Sequence, residues 1–147
     1  TGDTQLRKAE QRWEALGCQV RQMSPQAHDQ AFAAVSHLPH LLAFAFMQSI
    51  AGQPEGDAFL ALAGPGFRDF TRIAAGEPKM WRDILLTNRE QVLEQSQLFQ
   101  QALHAFEQAM RAGDAQALED MLTLASGMRT HWRMGVEGAT SPTPPQS

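Results

Sequence analysis

Between Glu77-Pro78 and Gly113-Asp114 the chain runs for about 35 residues without a glycine or a proline, and this run constrains the fold more than any other feature. Within it Leu85, Val92, Phe99 and Phe106 recur at intervals of seven, with Asn88, Gln95, Ala102 and Ala109 three positions on. Period-seven apolar spacing lines one face of a helix. A single helix over 78–112 would be roughly 52 Å long at 1.5 Å per residue. A compact domain of this length has a radius of gyration of about 15 Å, hence a diameter near 38 Å. Such a helix overhangs its own domain, and an overhanging apolar stripe predicts a second copy of the chain, a homodimer through 78–112. Asn88 and Gln95 on that stripe read as polar groups that set register at the dimer seam.

The rest of the chain has the same period. Leu6, Ala9, Trp13 and Leu16 predict an amphipathic helix over 4–16, stopped by Gly17. Cys18 to Met23 alternates like a short strand, but a lone strand needs a sheet that nothing else here supplies. Ser24-Pro25 predicts a helix start, with an apolar helix to about Ile50 that Pro39 kinks. Asp57 is expected to cap a short helix, 58–63; Gly64-Pro65-Gly66 turns the chain into another, 67–75; and Asp114 caps a last one to about Trp132. The fold class is therefore all-α. We divide the chain into a connecting helix and linker at 1–22, a helical domain at 23–134, and a Pro/Ser/Thr-rich tail or linker at 135–147. The abrupt start at Thr1 and the unpaired strand read as a piece of a longer protein.

Composition excludes some functions. At 43% hydrophobic and 19% charged, the 147 residues can bury a core. A net charge of −4 offers no basic face to nucleic acid. The longest unbroken apolar stretch, about Leu41 to Met47, is far short of the roughly 20 residues that span a bilayer, so no membrane segment is expected. One cysteine, Cys18, permits no intrachain disulfide and fits a cytoplasmic setting. No GxGxxG, GxxxxGK[ST] or GxSxG motif occurs.

Chemistry-bearing residues concentrate in two stretches. At about 100° per residue Asp29, Ser36 and His40 fall within about 40° of one another on an apolar helix, with His37 to one side and His28 beside Asp29. Burying such groups costs several kcal/mol unless partners are present. Three readings fit: a satisfied polar network, a metal site, or a polar ligand pocket; the absence of HExxH weighs against metal. The second stretch is Gly64 to Ala74. Its glycines allow backbone to approach a ligand at Gly66, and Arg68 and Arg72 share a face among Phe67, Phe70 and Ile73. A half-buried guanidinium suits a carboxylate, although a solvated salt bridge with Asp69 is the simpler reading. Trp81 reads as an aromatic lid, over either a core or a pocket.

Taken in order, Met23-Ser24-Pro25 with His28-Asp29, Ser36-His37-Leu38-Pro39-His40, Gly66-Phe67-Arg68-Asp69-Phe70-Thr71-Arg72-Ile73-Ala74, Trp81-Arg82-Asp83-Ile84 and Asn88 resemble the C-terminal helical domain of the prephenate, arogenate and cyclohexadienyl dehydrogenases. The resemblance runs from about Leu6 to Arg129. It implies a helical substrate-binding and dimerisation domain that works with a nucleotide-binding Rossmann domain outside this chain. The implied reaction is NAD- or NADP-dependent oxidative decarboxylation of prephenate to 4-hydroxyphenylpyruvate in tyrosine biosynthesis. The catalytic histidine is expected outside this chain, which alone would be inactive.

By matching motif positions, Arg72 would bind a substrate carboxylate and His40 would hydrogen-bond the substrate. His28, Asp29, Ser36 and His37 would shape the pocket, Gly66 would bring backbone to it, and Trp81 would close it, in one arrangement from the partner subunit. Pro65 departs from the glycine of many relatives and has no N–H to offer. The resemblance implies prephenate or arogenate as ligand, tyrosine as a candidate inhibitor, and no metal. The alternative is a non-catalytic dimeric module that binds an aromatic metabolite such as tyrosine.

Overall fold

The computed structural model describes residues 23–134, and among them every regular element is helical. In order these are α1 (Pro25–Phe32), a π turn (Ala33–His37), α2 (Leu38–Ala51), α3 (Gly56–Ala61), α4 (Pro65–Thr71), a 3-10 turn (Arg72–Ala75), α5 (Pro78–Thr87), α6 (Arg89–Ala112) and α7 (Ala115–His131). The helix expected over 4–16, the alternating segment up to residue 22 and the tail at 135–147 lie outside the described residues.

The first helices run as one rod with a fault in it. Prolines occupy the openings of α1, α2, α4 and α5, where a missing N–H leaves no bond unmade. Pro39 was expected to kink the rod. The helix does run on past Pro39, through a π turn just before it in which the Leu38 N–H bonds the Ala33 carbonyl five residues back. A wider turn relieves the clash that the Pro39 ring would otherwise make with the Val35 carbonyl.

Counted through that turn, Pro25–Ala51 is 27 residues, long and apolar enough by length and composition to cross a membrane. The apolar stretch is therefore longer than the unbroken Leu41–Met47 run suggested, because Pro39 and the scattered polar residues break the run without lowering its average enough. In this structure α2 packs against the π turn, α3, α4 and the 3-10 turn.

The single helix expected over 78–112 is two. Glu77 caps α5, its Oε1 accepting the Met80 N–H at 2.8 Å. α5 then ends at Asn88, whose φ of −107° and ψ of 34° leave the helical region. The ladder resumes at once, with Asn88 N–H bonding the Ile84 carbonyl and Val92 N–H bonding the Asn88 carbonyl. Periodicity could not register this break, because the apolar spacing runs through it unchanged. At 24 residues α6 is the longest uninterrupted α-helix described, about 36 Å at 1.5 Å per residue. The short helix expected at 58–63 starts two residues earlier, with Glu55 at the cap position and Asp57 inside the first turn.

Chain contacts separate two units, Gln26–Gln101 and a second that includes the chain from Ala102 onward. In the first, Ala33, Leu38, Ala43, Trp81 and Val92 are buried. In the second, α6 ends in a Schellman turn. Gly113 lies at φ +66°, the Asp114 N–H bonds the Ala109 carbonyl at 2.9 Å, and the Gly113 N–H bonds the Met110 carbonyl at 3.1 Å. Asp114 then caps α7, its Oδ1 accepting the Ala117 N–H at 3.0 Å.

Open space surrounds the Cβ position of Gly113, so a side chain there meets only backbone strain. Gly113→Ala is expected to cost about 1–2 kcal/mol, read as a lower urea midpoint by circular dichroism. An unchanged midpoint would mean that the turn does not depend on its left-handed residue.

Candidate functional site

The π turn decides which polar residues meet. Five-residue bonding advances each residue by fewer than the usual 100° or so, and everything beyond the turn is rotated relative to a regular helix. The expected line of Asp29, Ser36 and His40 is thereby divided. Asp29 and His28 share a pocket with His37, while His40 lies on Trp81.

That pocket, of about 450 Å³, is lined by His28, Asp29, Phe32 and His37 from one side and by Met80, Asp83, Ile84, Thr87 and Asn88 from the other. His28 Nδ1 is 3.7 Å from the Asp29 carboxylate, and its ring meets Phe32 edge-on at 4.4 Å. Asn88 reaches across from the helix junction. Its Nδ2 donates to the Asp29 carbonyl at 2.8 Å and stands 3.3 Å from His37 Nδ1. Sequence reasoning read Asn88 as a seam residue; the structure makes it part of this pocket. Its place in the recognised string was the one available signal. Burial is the main force lowering the His37 pKa, His40 nearby lowers it further, and Asp29 opposes both.

Beside the pocket, the His40 ring stacks on Trp81 with centroids 3.8 Å apart and planes 18° from parallel. His40 Nδ1 lies 2.9 Å from the Ser36 carbonyl. A carbonyl only accepts, so Nδ1 carries the proton, and Nε2 of the neutral ring is an acceptor. The Ser36 contribution shown here is thus its backbone. Trp81 is buried against His40 of its own chain, with His37 edge-on at 6.0 Å and Phe44 at 6.4 Å. It fits because Gly76 has no side chain: a Cβ there would lie 2.8 Å from both Cδ1 and Nε1 of the indole.

The second stretch lies on α4 and the 3-10 turn, which both pack on α2. Phe67 and Phe70 hold Phe46, with centroids at 5.8 and 5.3 Å. Thr71 Oγ1 donates to the Phe67 carbonyl, and the helix tightens into the 3-10 turn at Arg72. Asp69 pairs with Arg68 at 3.7 Å. Arg72 is exposed, with no ion pair among the described residues. Gly66 stands in the first turn of α4 with open space around its Cβ position and outside the pocket, and Pro65 opens that helix. The structure therefore gathers His28, Asp29, His37 and Asn88 around the pocket and stacks His40 on Trp81 beside it, with His37 adjoining both. Arg72 stands on an element packed against the helix of His40, and Gly66 joins neither group. No group of three or more His, Cys, Asp or Glu among the described residues is placed to hold a metal ion.

Residues 24–124 match the family model described as prephenate dehydrogenase, dimerization domain. The chain is 36% identical over 83 residues to a cyclohexadienyl dehydrogenase of Zymomonas mobilis, a match over 55% of this chain and 28% of that protein. Its structure is similar to that of an arogenate dehydrogenase of Synechocystis, with a TM-score of 0.69 and 31% identity over 74% of this chain and 40% of that one. It is also similar to a prephenate dehydrogenase of A. aeolicus in complex with hydroxyphenyl propionate and NAD+, with a TM-score of 0.67 and 39% identity over 74% of this chain and 38% of that one. The chain thus spans well under half the length of the relatives it matches.

Two outcomes follow from the geometry. The folded state holds His37 below the ordinary 6.5, so the unfolded chain takes up that proton first. Stability is complete above about pH 6.5 and is lost as pH falls from there through the folded-state value. Unfolding midpoints from pH 8 to 5 should fall more steeply for the unaltered chain than for His37→Gln; parallel profiles would contradict the burial of His37. Gly76→Ala should push the indole off His40. In a chain whose Trp13 and Trp132 are replaced by Phe, this reads as a red shift of Trp81 emission, and an unmoved spectrum would contradict the close approach.

Proposed function

The chain belongs to the prephenate dehydrogenase dimerization-domain family, and from that membership we propose that it is the substrate-binding and dimerising part of a dehydrogenase acting on prephenate or arogenate. The match over 24–124 is the observation that carries this reading. The reaction is NAD(P)-dependent oxidative decarboxylation, yielding 4-hydroxyphenylpyruvate when prephenate is the substrate. Among the described residues there is neither a strand nor a glycine-rich turn of the GxGxxG kind. The helix that follows Gly64-Pro65-Gly66 has only seven residues and opens with a proline. These residues do not fit a dinucleotide cradle, so the cofactor belongs to a nucleotide-binding domain that this chain serves.

What the chain offers is recognition. A cyclohexadienyl substrate combines a flat ring with carboxylates. The half-buried His40 ring, backed by the buried Trp81, supplies an aromatic face, and the exposed Arg72 guanidinium, without an ion pair among the described residues, supplies charge on an element packed against the helix of His40. The A. aeolicus relative was solved with hydroxyphenyl propionate, which joins an aromatic ring to a carboxylate in the same way. Dimerisation is supported by the apolar side chains left exposed on α6 and α7, among them Leu93, Leu98, Leu103, Met110, Leu122, Leu124 and Met128. Large apolar side chains left in water in this number are what a dimerization domain would cover with its partner.

Losing a bidentate charged contact costs ~2–5 kcal/mol. In the dehydrogenase that carries this chain, Arg72→Ala should therefore raise KM for prephenate more than about tenfold, measured by cofactor reduction. Unchanged affinity would remove Arg72 from the site, and absence of turnover with prephenate and arogenate alike would overturn the proposed reaction.

A further inference from the structure

We propose that Asn88 is a positioning residue whose amide fixes His37 as the neutral tautomer protonated on Nε2. The assignment needs only the two contacts of one nitrogen. The atom 2.8 Å from the Asp29 carbonyl must be the amide nitrogen, because a carbonyl oxygen can only accept. That nitrogen has a second hydrogen, and His37 Nδ1 lies 3.3 Å away. A proton on Nδ1 would set two donors against each other. Nδ1 therefore holds its lone pair toward Asn88, and Nε2–H is the one donor left to His37.

The surroundings do not compete with this arrangement. The ionisable groups around His37 are His28 and Asp29 from α1, His40 from α2, and Asp83 from α5. Asp83 is engaged by Arg82 at 2.9 Å and Asp29 faces His28, and no carboxylate among the described residues is hydrogen-bonded to His37. His40 has its own tautomer set the opposite way by the Ser36 carbonyl. Two histidines three residues apart are thus held in opposite forms, one offering Nε2–H and the other an Nε2 lone pair. The break at Asn88 contributes, since the residue that joins α5 to α6 is also the one that carries the amide.

What this means for a substrate rests on the function proposed above: His37 is a neutral donor, and positive charge is left to Arg72. The assignment itself is tested on the chain without substrate. In a 15N-histidine-labelled sample at pH 7.5, two-bond proton–nitrogen spectra should give His37 a lone-pair-type Nδ1 and a protonated Nε2. Asn88→Asp replaces a donor with an acceptor, so His37 should move toward Nδ1–H and its titration midpoint should rise by about one pH unit or more. Asn88→Ala should leave a mixture of tautomers.

A protonated Nδ1 in the unaltered chain overturns the proposal, whether or not either variant folds. So does an unmoved tautomer and midpoint in a folded Asn88→Asp chain. Such a result would leave the dehydrogenase reading standing, whereas failure of prephenate and arogenate turnover with the expected spectra would leave the Asn88 assignment standing.

Discussion

The arrangement of the candidate site depends on one hydrogen bond, from the Leu38 N–H to the carbonyl of Ala33 five residues back. That bond closes the π turn by which the chain passes Pro39. A regular helix would keep Asp29, Ser36 and His40 in a row. The wide turn instead hands His37 to the pocket containing Asn88 and leaves His40 to stack on Trp81. The π turn beside the proline is therefore where the polar residues of the rod part, His37 toward Asn88 and His40 toward Trp81.

The second group is held from both sides. Trp81 is fixed by the His40 ring on one face and by the bare backbone of Gly76 on its edge. His40 is fixed in turn by the Ser36 carbonyl that orients its Nδ1. A ring, an indole and a glycine make a rigid corner without any ion pair. The exposed guanidinium nearby brings the charge that this corner lacks.

Much of this was legible in the sequence. Period-3.6 spacing gave the helical class, and Pro25, Glu77-Pro78 and Gly113-Asp114 marked helix ends close to where they occur. The string from His28 to Asn88 marked the family that the match over 24–124 bears out. What escaped were features that leave no trace in spacing. The π turn adds no residue type of its own, and the fault at Asn88 keeps the hydrogen-bond ladder almost whole. Pairings such as Asn88 with His37, 51 residues apart, follow from how helices fold back rather than from any local pattern. The length of the apolar helix was underestimated for a related reason: an unbroken apolar run and an average over a helix measure different things.

The contact between Gly76 and Trp81 also gives the history of this sequence a direction. A side chain cannot enter at position 76 while the indole lies against it, but the indole can be exchanged for something smaller while the glycine stays. Descendants of such a chain could lose the tryptophan first and fill the glycine afterwards, and the reverse order passes through a collision. Relatives that keep Trp at the equivalent position should therefore keep Gly as well, whereas Gly can outlive Trp as a relic of the corner it once accommodated.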